Sequence, residues 1–228
     1  MTWQKWAQPG TVEPSIYAAD FSRLGEQLEL LLDAGARVFH FDVGDGHFIP
    51  QITVGPVVLR SIADLVHERG GVLDCHLMVE QPERHFESVR EAGGDSVTFH
   101  AEVVDDARQV AAAARELGLG VGVAFNPETE VARAADAVNG ADLALCMSIH
   151  PGLSGQEFMP DALDRISKLR SLVSDSVFVQ VDGGVSAENA AGIREAGADL
   201  LVAGSSIFWQ SDPAAAYRAL TAQVEAFA

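Results

Sequence analysis

Eight short apolar runs alternate with eight longer amphipathic stretches along the chain, and that alternation leaves few folds open. The runs fall at residues 12–18, 37–43, 71–78, 96–102, 119–125, 143–150, 177–183 and 200–208. The stretches between them cover 22–34, 56–68, 82–92, 105–117, 128–138, 161–172, 187–196 and 213–227. Runs this nearly continuous in apolar residues fit strands buried on both faces, as in a parallel sheet covered by helices. A short repeat marks the helix ends: Asp33-Ala34-Gly35-Ala36, Glu91-Ala92-Gly93-Gly94, Asn139-Gly140-Ala141-Asp142 and Glu195-Ala196-Gly197-Ala198. Glycine there accepts the left-handed conformation that closes a helix and returns the chain to the sheet. Eight strand–helix units predict a single α/β domain, a (β/α)8 TIM barrel over residues 12–228, preceded by an N-terminal extension at 1–11. An open doubly wound sheet calls for a Gly-x-Gly-x-x-Gly turn after its first strand, and the chain has Ala18-Ala19-Asp20-Phe21 there. Trp3 and Trp6 in the extension point to an apolar flap over the barrel floor or a subunit contact rather than to catalysis.

Composition removes several functions. With 33 acidic against 15 basic residues the formal charge is −18, which repels nucleic acid and acidic membrane surfaces. A small phosphorylated substrate is still admitted, because backbone amides hold a phosphate locally. Only two lysines exist, Lys5 in the extension and Lys168 in a helical stretch. Schiff-base and pyridoxal chemistry need an amine in the pocket, so those classes drop out. Cys75 and Cys146 sit in apolar runs and read as buried reduced thiols. No uninterrupted apolar stretch approaches ~18 residues, and the start Met1-Thr2-Trp3-Gln4-Lys5 lacks an apolar signal core. The expected location is the cytoplasm.

A barrel does its chemistry at the C-terminal ends of its strands. Those ends carry His40-Phe41-Asp42, Cys75-His76-Leu77-Met78 and Val181-Asp182-Gly183-Gly184. His40 and Asp42 are two apart, so a strand turns both side chains the same way. Two imidazoles and two carboxylates at one mouth make a mixed nitrogen–oxygen site for one divalent metal ion: Zn, Fe, Mn or Co. Phosphate has candidate holders in His150-Pro151-Gly152-Leu153-Ser154-Gly155-Gln156, in Asp182-Gly183-Gly184-Val185 and in Ala203-Gly204-Ser205-Ser206. Met78 and Met147 suit core filling and an apolar substrate wall equally.

These residues resemble the ribulose-phosphate 3-epimerase family from about residue 13 to 208. The resemblance is carried by Pro14-Ser15-Ile16, by His40-Phe41-Asp42-Val43-Gly44-Asp45-Gly46-His47-Phe48-Ile49-Pro50 and by Asp74-Cys75-His76-Leu77-Met78-Val79. Phe125-Asn126-Pro127, Met147-Ser148-Ile149-His150-Pro151-Gly152, Val181-Asp182-Gly183-Gly184-Val185 and Gly204-Ser205-Ser206-Ile207-Phe208 complete it. It implies a barrel of the ribulose-phosphate binding type and a metal-dependent 3-epimerase that interconverts D-ribulose 5-phosphate and D-xylulose 5-phosphate. By the family pattern His40, Asp42, His76 and Asp182 hold the metal, and Asp42 and Asp182 are the acid–base pair. Ser15, His76, Met78, Met147 and Asp182 line the substrate, while Gly152, Leu153, Ser154, Gly155, Gly183, Gly184, Gly204 and Ser205 hold its phosphate end. A homo-oligomer is the default for the family.

The chain also departs from the pattern. Gly44 stands where the family usually has Met, Leu153-Ser154 where it has Phe-Gly, His150 where Asn or Glu is common, Ala18 after Tyr17 where a second Ser is usual, and Gln180 for Glu. Gly44 and Leu153 are expected to enlarge or reshape the pocket, which admits a second reading with a longer ketose phosphate such as allulose 6-phosphate. A third is a sugar-phosphate sensor without turnover. The related decarboxylase and hexulose-phosphate synthase barrels use an Asp-x-Lys-x-x-Asp pattern, whereas this chain has Asp42-Val43-Gly44-Asp45, without the lysine.

Overall fold

The computed structural model describes residues 3–225. Met1 and Thr2 of the expected extension, and residues 226–228 at the end of the expected last helix and barrel, lie outside the described residues. Eight strands run in parallel: β1 (Thr11–Pro14), β2 (Val38–Gly44), β3 (Val72–Met78), β4 (Ser96–His100), β5 (Gly120–Phe125), β6 (Leu143–Met147), β7 (Phe178–Asp182) and β8 (Leu200–Ala203). They form one sheet in the order β1-β8-β7-β6-β5-β4-β3-β2. A parallel bridge from Ser15 to His40 brings its two ends together and closes the barrel. The outer ring is α1 (Leu24–Asp33), α2 (Pro56–Glu68), α3 (Phe86–Glu91), α4 (Ala107–Glu116), α5 (Val131–Ala137), α6 (Ala162–Leu172), α7 (Ala190–Glu195), α8 (Ser205–Phe208) and α9 (Pro213–Glu225).

Local chemistry sets these bounds. Pro56 opens α2, where its missing N–H costs nothing. Asp106 caps α4 by accepting from the amides of Arg108 at 3.0 Å and Gln109 at 3.3 Å. The glycines of the repeat take the expected conformation, as at Gly35 (φ 107°) and Gly197 (φ 105°). Every residue of β2 is buried. Phe39 and Phe41 belong to the large cluster between sheet and helices, while Val38, His40 and Asp42 alternate with them.

Several expected strands stop early. The last apolar run, 200–208, is strand only to Ala203; the backbone breaks at Gly204 and Ser205–Phe208 becomes a short helix. Likewise β1 ends at Pro14, and a single 3-10 turn, Ile16–Ala18, follows. The extension folds inward: Trp3 is buried in a cluster with Val38, Leu143, Leu145, Phe178 and Leu200 inside the barrel. Trp6 packs edge-on against Trp3, centroids 5.6 Å apart. Cys75 and Cys146 are both buried and free.

Candidate metal and substrate site

Strand β2 brings His40 and Asp42 to the mouth, β3 places His76 in register beside Asp42, and β7 ends on Asp182. One ligand atom from each of the four lies within 4.8 Å of the others. His40 Nε2 stands 3.3 Å from Asp42 Oδ1 and 3.9 Å from Asp182 Oδ2. His76 Nδ1 stands 3.1 Å and 3.8 Å from the same two oxygens.

The protons on both rings follow from what lies behind them. His40 Nδ1 is 3.0 Å from Asp74 Oδ2; an ionised carboxylate only accepts, so Nδ1 carries the hydrogen and Nε2 is bare. That Nε2 is buried and has no hydrogen-bond partner. His76 Nε2 is 2.9 Å from His100 Nε2, and His100 Nδ1 is 3.3 Å from Glu102 Oε2. Donation running from His76 to His100 to Glu102 leaves His76 Nδ1 bare as well. Two lone pairs and two carboxylates therefore converge with no donor of their own at the centre, and outer-shell acceptors fix each ring. This donor set fits a divalent cation of the Zn, Fe, Mn or Co kind.

The electrostatics carry the same demand. Burial opposes a charge on His40, but Asp42 and Asp74 outweigh it and hold its pKa well above the usual imidazole value, so the surroundings of the ring favour positive charge. Burial would raise Asp42, yet His40 and His76 hold it below the usual carboxylate range. Burial, then the charge of Asp42, pushes Asp182 up to about 7. Burial also lowers His76 and takes His100 down to about 4. Below the cluster, burial and then Asp74 raise Glu13 well above its ordinary value.

Beside the cluster a cleft opens. Ser15, Asp42, Met78, Met147 and Asp182 line its inner part, and Gly152, Leu153, Ser154, Gly155, Gly183, Gly184, Gly204 and Ser205 line the rest. His40 and His76 have no exposed surface and do not line it; His76, expected to touch substrate, meets the cleft only through the carboxylates in front of it. Ser15 Oγ donates to Asp42 Oδ2 at 2.7 Å. Ser206 spends its hydroxyl on the carbonyl of Val185 at 2.7 Å. Gly184 (φ +63°) must be glycine, since a Cβ there would drive into the backbone of Phe158.

The departures take physical form. Position 44 is not open: a Cβ on Gly44 would sit 2.6 Å from Ile49 Cδ1 and 3.0 Å from the Gln51 carbonyl oxygen. The expected enlargement at Gly44 is therefore filled by Ile49. His150 turns away to the exposed Glu128, 2.5 Å off. Gln156 Nε2 braces the 150–156 loop through the carbonyls of His150 at 2.8 Å and Leu153 at 3.0 Å, and the Trp209 ring lies against Gly155.

Asp74, His100 and Glu102 behind the imidazoles, and Tyr17 and Ile149 on the cleft wall, are not among the residues that the sequence marks for the site. Asp74 was within reach: it precedes His76 by two residues, the same spacing that puts His40 and Asp42 on one side.

The fold and this site define a (β/α)8 barrel with two imidazoles and two carboxylates gathered at the C-terminal ends of its strands. Among solved structures, 3-hexulose-6-phosphate synthase from Salmonella typhimurium superposes with a TM-score of 0.73 over 96% of this chain and 100% of that one, at 18% identity; that likeness shows the barrel alone. In sequence, residues 11–208 match the profile of the ribulose-phosphate 3 epimerase family. The ribulose-phosphate 3-epimerase of Escherichia coli (strain K12) is 40% identical over 204 residues, 88% of this chain and 90% of that protein. The enzyme of the same name from Bacillus subtilis (strain 168) is 38% identical over 208 residues, 88% of this chain and 93% of that protein. The chain belongs to the ribulose-phosphate 3-epimerase family, and it is an isomerase of the carbohydrate-epimerase class.

Proposed function

We propose that this protein interconverts D-ribulose 5-phosphate and D-xylulose 5-phosphate, with Asp42 and Asp182 exchanging the proton at C3. The carrying observation is the pair itself: two carboxylates from strands β2 and β7, gathered within 4.8 Å of both imidazoles at the inner end of a cleft whose wall includes five glycines. A hydrogen on C3, beside the C2 ketone, is weakly acidic because its loss places charge on the carbonyl oxygen. Asp42 or Asp182 takes that proton from one face, and the other carboxyl returns one from the opposite face of the planar enediolate. β2 and β7 are three places apart in the barrel, with β1 and β8 between them, so the two acids reach a bound ketose from different sides. Ser15 holds Asp42 in register, and Met78 and Met147 supply an apolar wall.

His40, Asp42, His76 and Asp182 would hold one divalent cation, whose positive charge favours the enediolate oxygens. At the far end, the amides of Gly183 and Gly184, the 152–155 loop and the start of the Ser205 helix form the phosphate grip, the use to which barrels put the loops after strands seven and eight. The reading includes a cytoplasmic homo-oligomer acting on a small phosphorylated ketose, not on nucleic acid or membrane. Among the described residues no helix is long and apolar enough to cross a membrane.

The longer-ketose reading drew its support from room at Gly44, and Ile49 occupies that room. A panel of ketose phosphates with purified, metal-analysed protein tests the choice. The proposal expects the pentulose phosphate to be turned over fastest; a rate far below that for allulose 6-phosphate overturns it.

A further inference from the structure

Barrel interiors are ordinarily filled by Val, Ile and Leu. Beneath the mouth of this one lie Glu13, Asp74 and Gln180, all at most 1% exposed. Burying two acids and an amide is costly unless each is bonded, so their arrangement has to account for their presence. The Gln180 side-chain nitrogen lies 2.7 Å from Glu13 Oε2 and 3.3 Å from Asp74 Oδ2. An amide nitrogen has two hydrogens, and here each faces a different carboxyl. Asp74 Oδ2 also takes the His40 Nδ1 hydrogen at 3.0 Å, while its Oδ1 accepts from Ser96 Oγ at 2.7 Å and Thr98 Oγ1 at 3.4 Å. One unbroken line of contacts thus runs from β1 through β7 and β3 to β2: Glu13, Gln180, Asp74, His40.

We propose that Glu13 and Gln180 are positioning residues for His40: the Glu13 carboxyl anchors the Gln180 amide, the amide's second hydrogen holds Asp74, and Asp74 fixes the imidazole with Nε2 toward the cation site. The inference rests on the metal reading above and goes beyond it by assigning a role to two residues that are neither among the four candidate ligands nor on the cleft wall. The line has a direction. Without an acceptor at position 13 the Gln180 amide is free to rotate, and its Oε1, which has no hydrogen-bond partner, can swing toward Asp74 and push the two acceptors apart. Asp74 then shifts, and His40 Nε2 leaves the position it holds 3.3 Å from Asp42. Removing Gln180 has the same result by a shorter route.

Glu13→Met and Gln180→Met remove the contacts with side chains of similar length, and Glu13→Gln keeps an acceptor oxygen at position 13. Affinity for Zn2+ alone is read by chelator competition, and site geometry by the visible spectrum of the Co2+-loaded protein. Outer-shell partners of metal ligands are worth about 10–100-fold in affinity. Gln180→Met should therefore weaken Zn2+ binding by about tenfold and alter the Co2+ bands. Glu13→Met should weaken it in the same direction, Glu13→Gln should restore it, and the Glu13→Met/Gln180→Met pair should bind no worse than Gln180→Met, because one residue acts through the other. At saturating metal the KM for ketose phosphate should stay near wild type in all of them. Equal affinity in Glu13→Met and Glu13→Gln, or fully additive losses in the pair, overturns the inference. If Gln180→Met does not fold, the two Glu13 variants decide alone. A wild-type chain that binds neither Zn2+ nor Co2+ overturns the metal reading and this inference with it; a wild type that binds while the variants bind equally well overturns this inference only.

Discussion

The Asp74 carboxylate sits 3.0 Å from His40 Nδ1 and thereby decides which nitrogen of that ring faces the barrel mouth. Asparagine at position 74 keeps the shape but loses the charge that favours the Nδ1–H form. Asp74→Asn should weaken divalent-metal affinity by about 10–100-fold and leave the substrate KM little changed at saturating metal. Chelator competition measures this, and unchanged affinity would show that the ring needs no such support.

Asp182→Asn should preserve the fold, because the native carboxyl is already driven toward its neutral form by burial and by Asp42. Epimerisation should drop by about 10²–10⁴-fold or more, the usual contribution of a positioned acid–base group. Circular dichroism with an epimerase assay checks both halves. Near-normal turnover would contradict the two-carboxylate scheme.

Ile49 and Gly44 form a packing pair, with the site of a Cβ on Gly44 only 2.6 Å from Ile49 Cδ1. Gly44→Met should destabilise the protein by about 1–3 kcal/mol through overpacking, and adding Ile49→Ala should recover much of the loss. Thermal unfolding of the single and double variants reads this directly.

The His100–Glu102 pair gives the metal-free chain a pH signature. An unfolded histidine takes a proton near 6.5, but buried His100 refuses it down to about 4. Its folding contribution is complete above that first value and is lost as pH falls through the window, on the order of a few kcal/mol when fully developed. Glu102 is likewise depressed, to about 2: burial opposes the shift, and the bonds from His100 and Thr129 prevail. Its contribution holds above 4.5 and fades toward the lower value. Wild type should therefore lose more stability than His100→Asn between about pH 7 and pH 4.5 in denaturant titrations. Parallel losses would contradict the assignment.

How much of this was legible in the chain depends on whether the signal was local. Residues 56–68 were readable as a helix because Pro56 opens it and the apolar spacing runs unbroken to Glu68. His40 and Asp42 were readable as neighbours because a strand alternates its faces. The end of β8 was not: Leu200–Ala203 and Ile207-Phe208 are apolar on both sides of Gly204-Ser205-Ser206, and the backbone at Gly204 separates strand from helix. The contact of Glu13 with Gln180 joins positions 167 residues apart, and no local pattern announces it. Gly44 misled for the same reason, since the side chain that fills its space comes from a loop whose path the strand pattern does not set.

In the proposed reaction Asp42 and Asp182 pass a proton on and off C3 of the ketose from opposite faces. Incubating the metal-loaded protein with D-ribulose 5-phosphate in deuterium oxide, and following the C3 hydrogen by NMR, tests it most directly. Deuterium should enter C3 together with the appearance of D-xylulose 5-phosphate, both lost in Asp182→Asn. Tight binding of the sugar phosphate with its C3 hydrogen unexchanged would contradict it and leave a barrel that senses the ketose without turning it over.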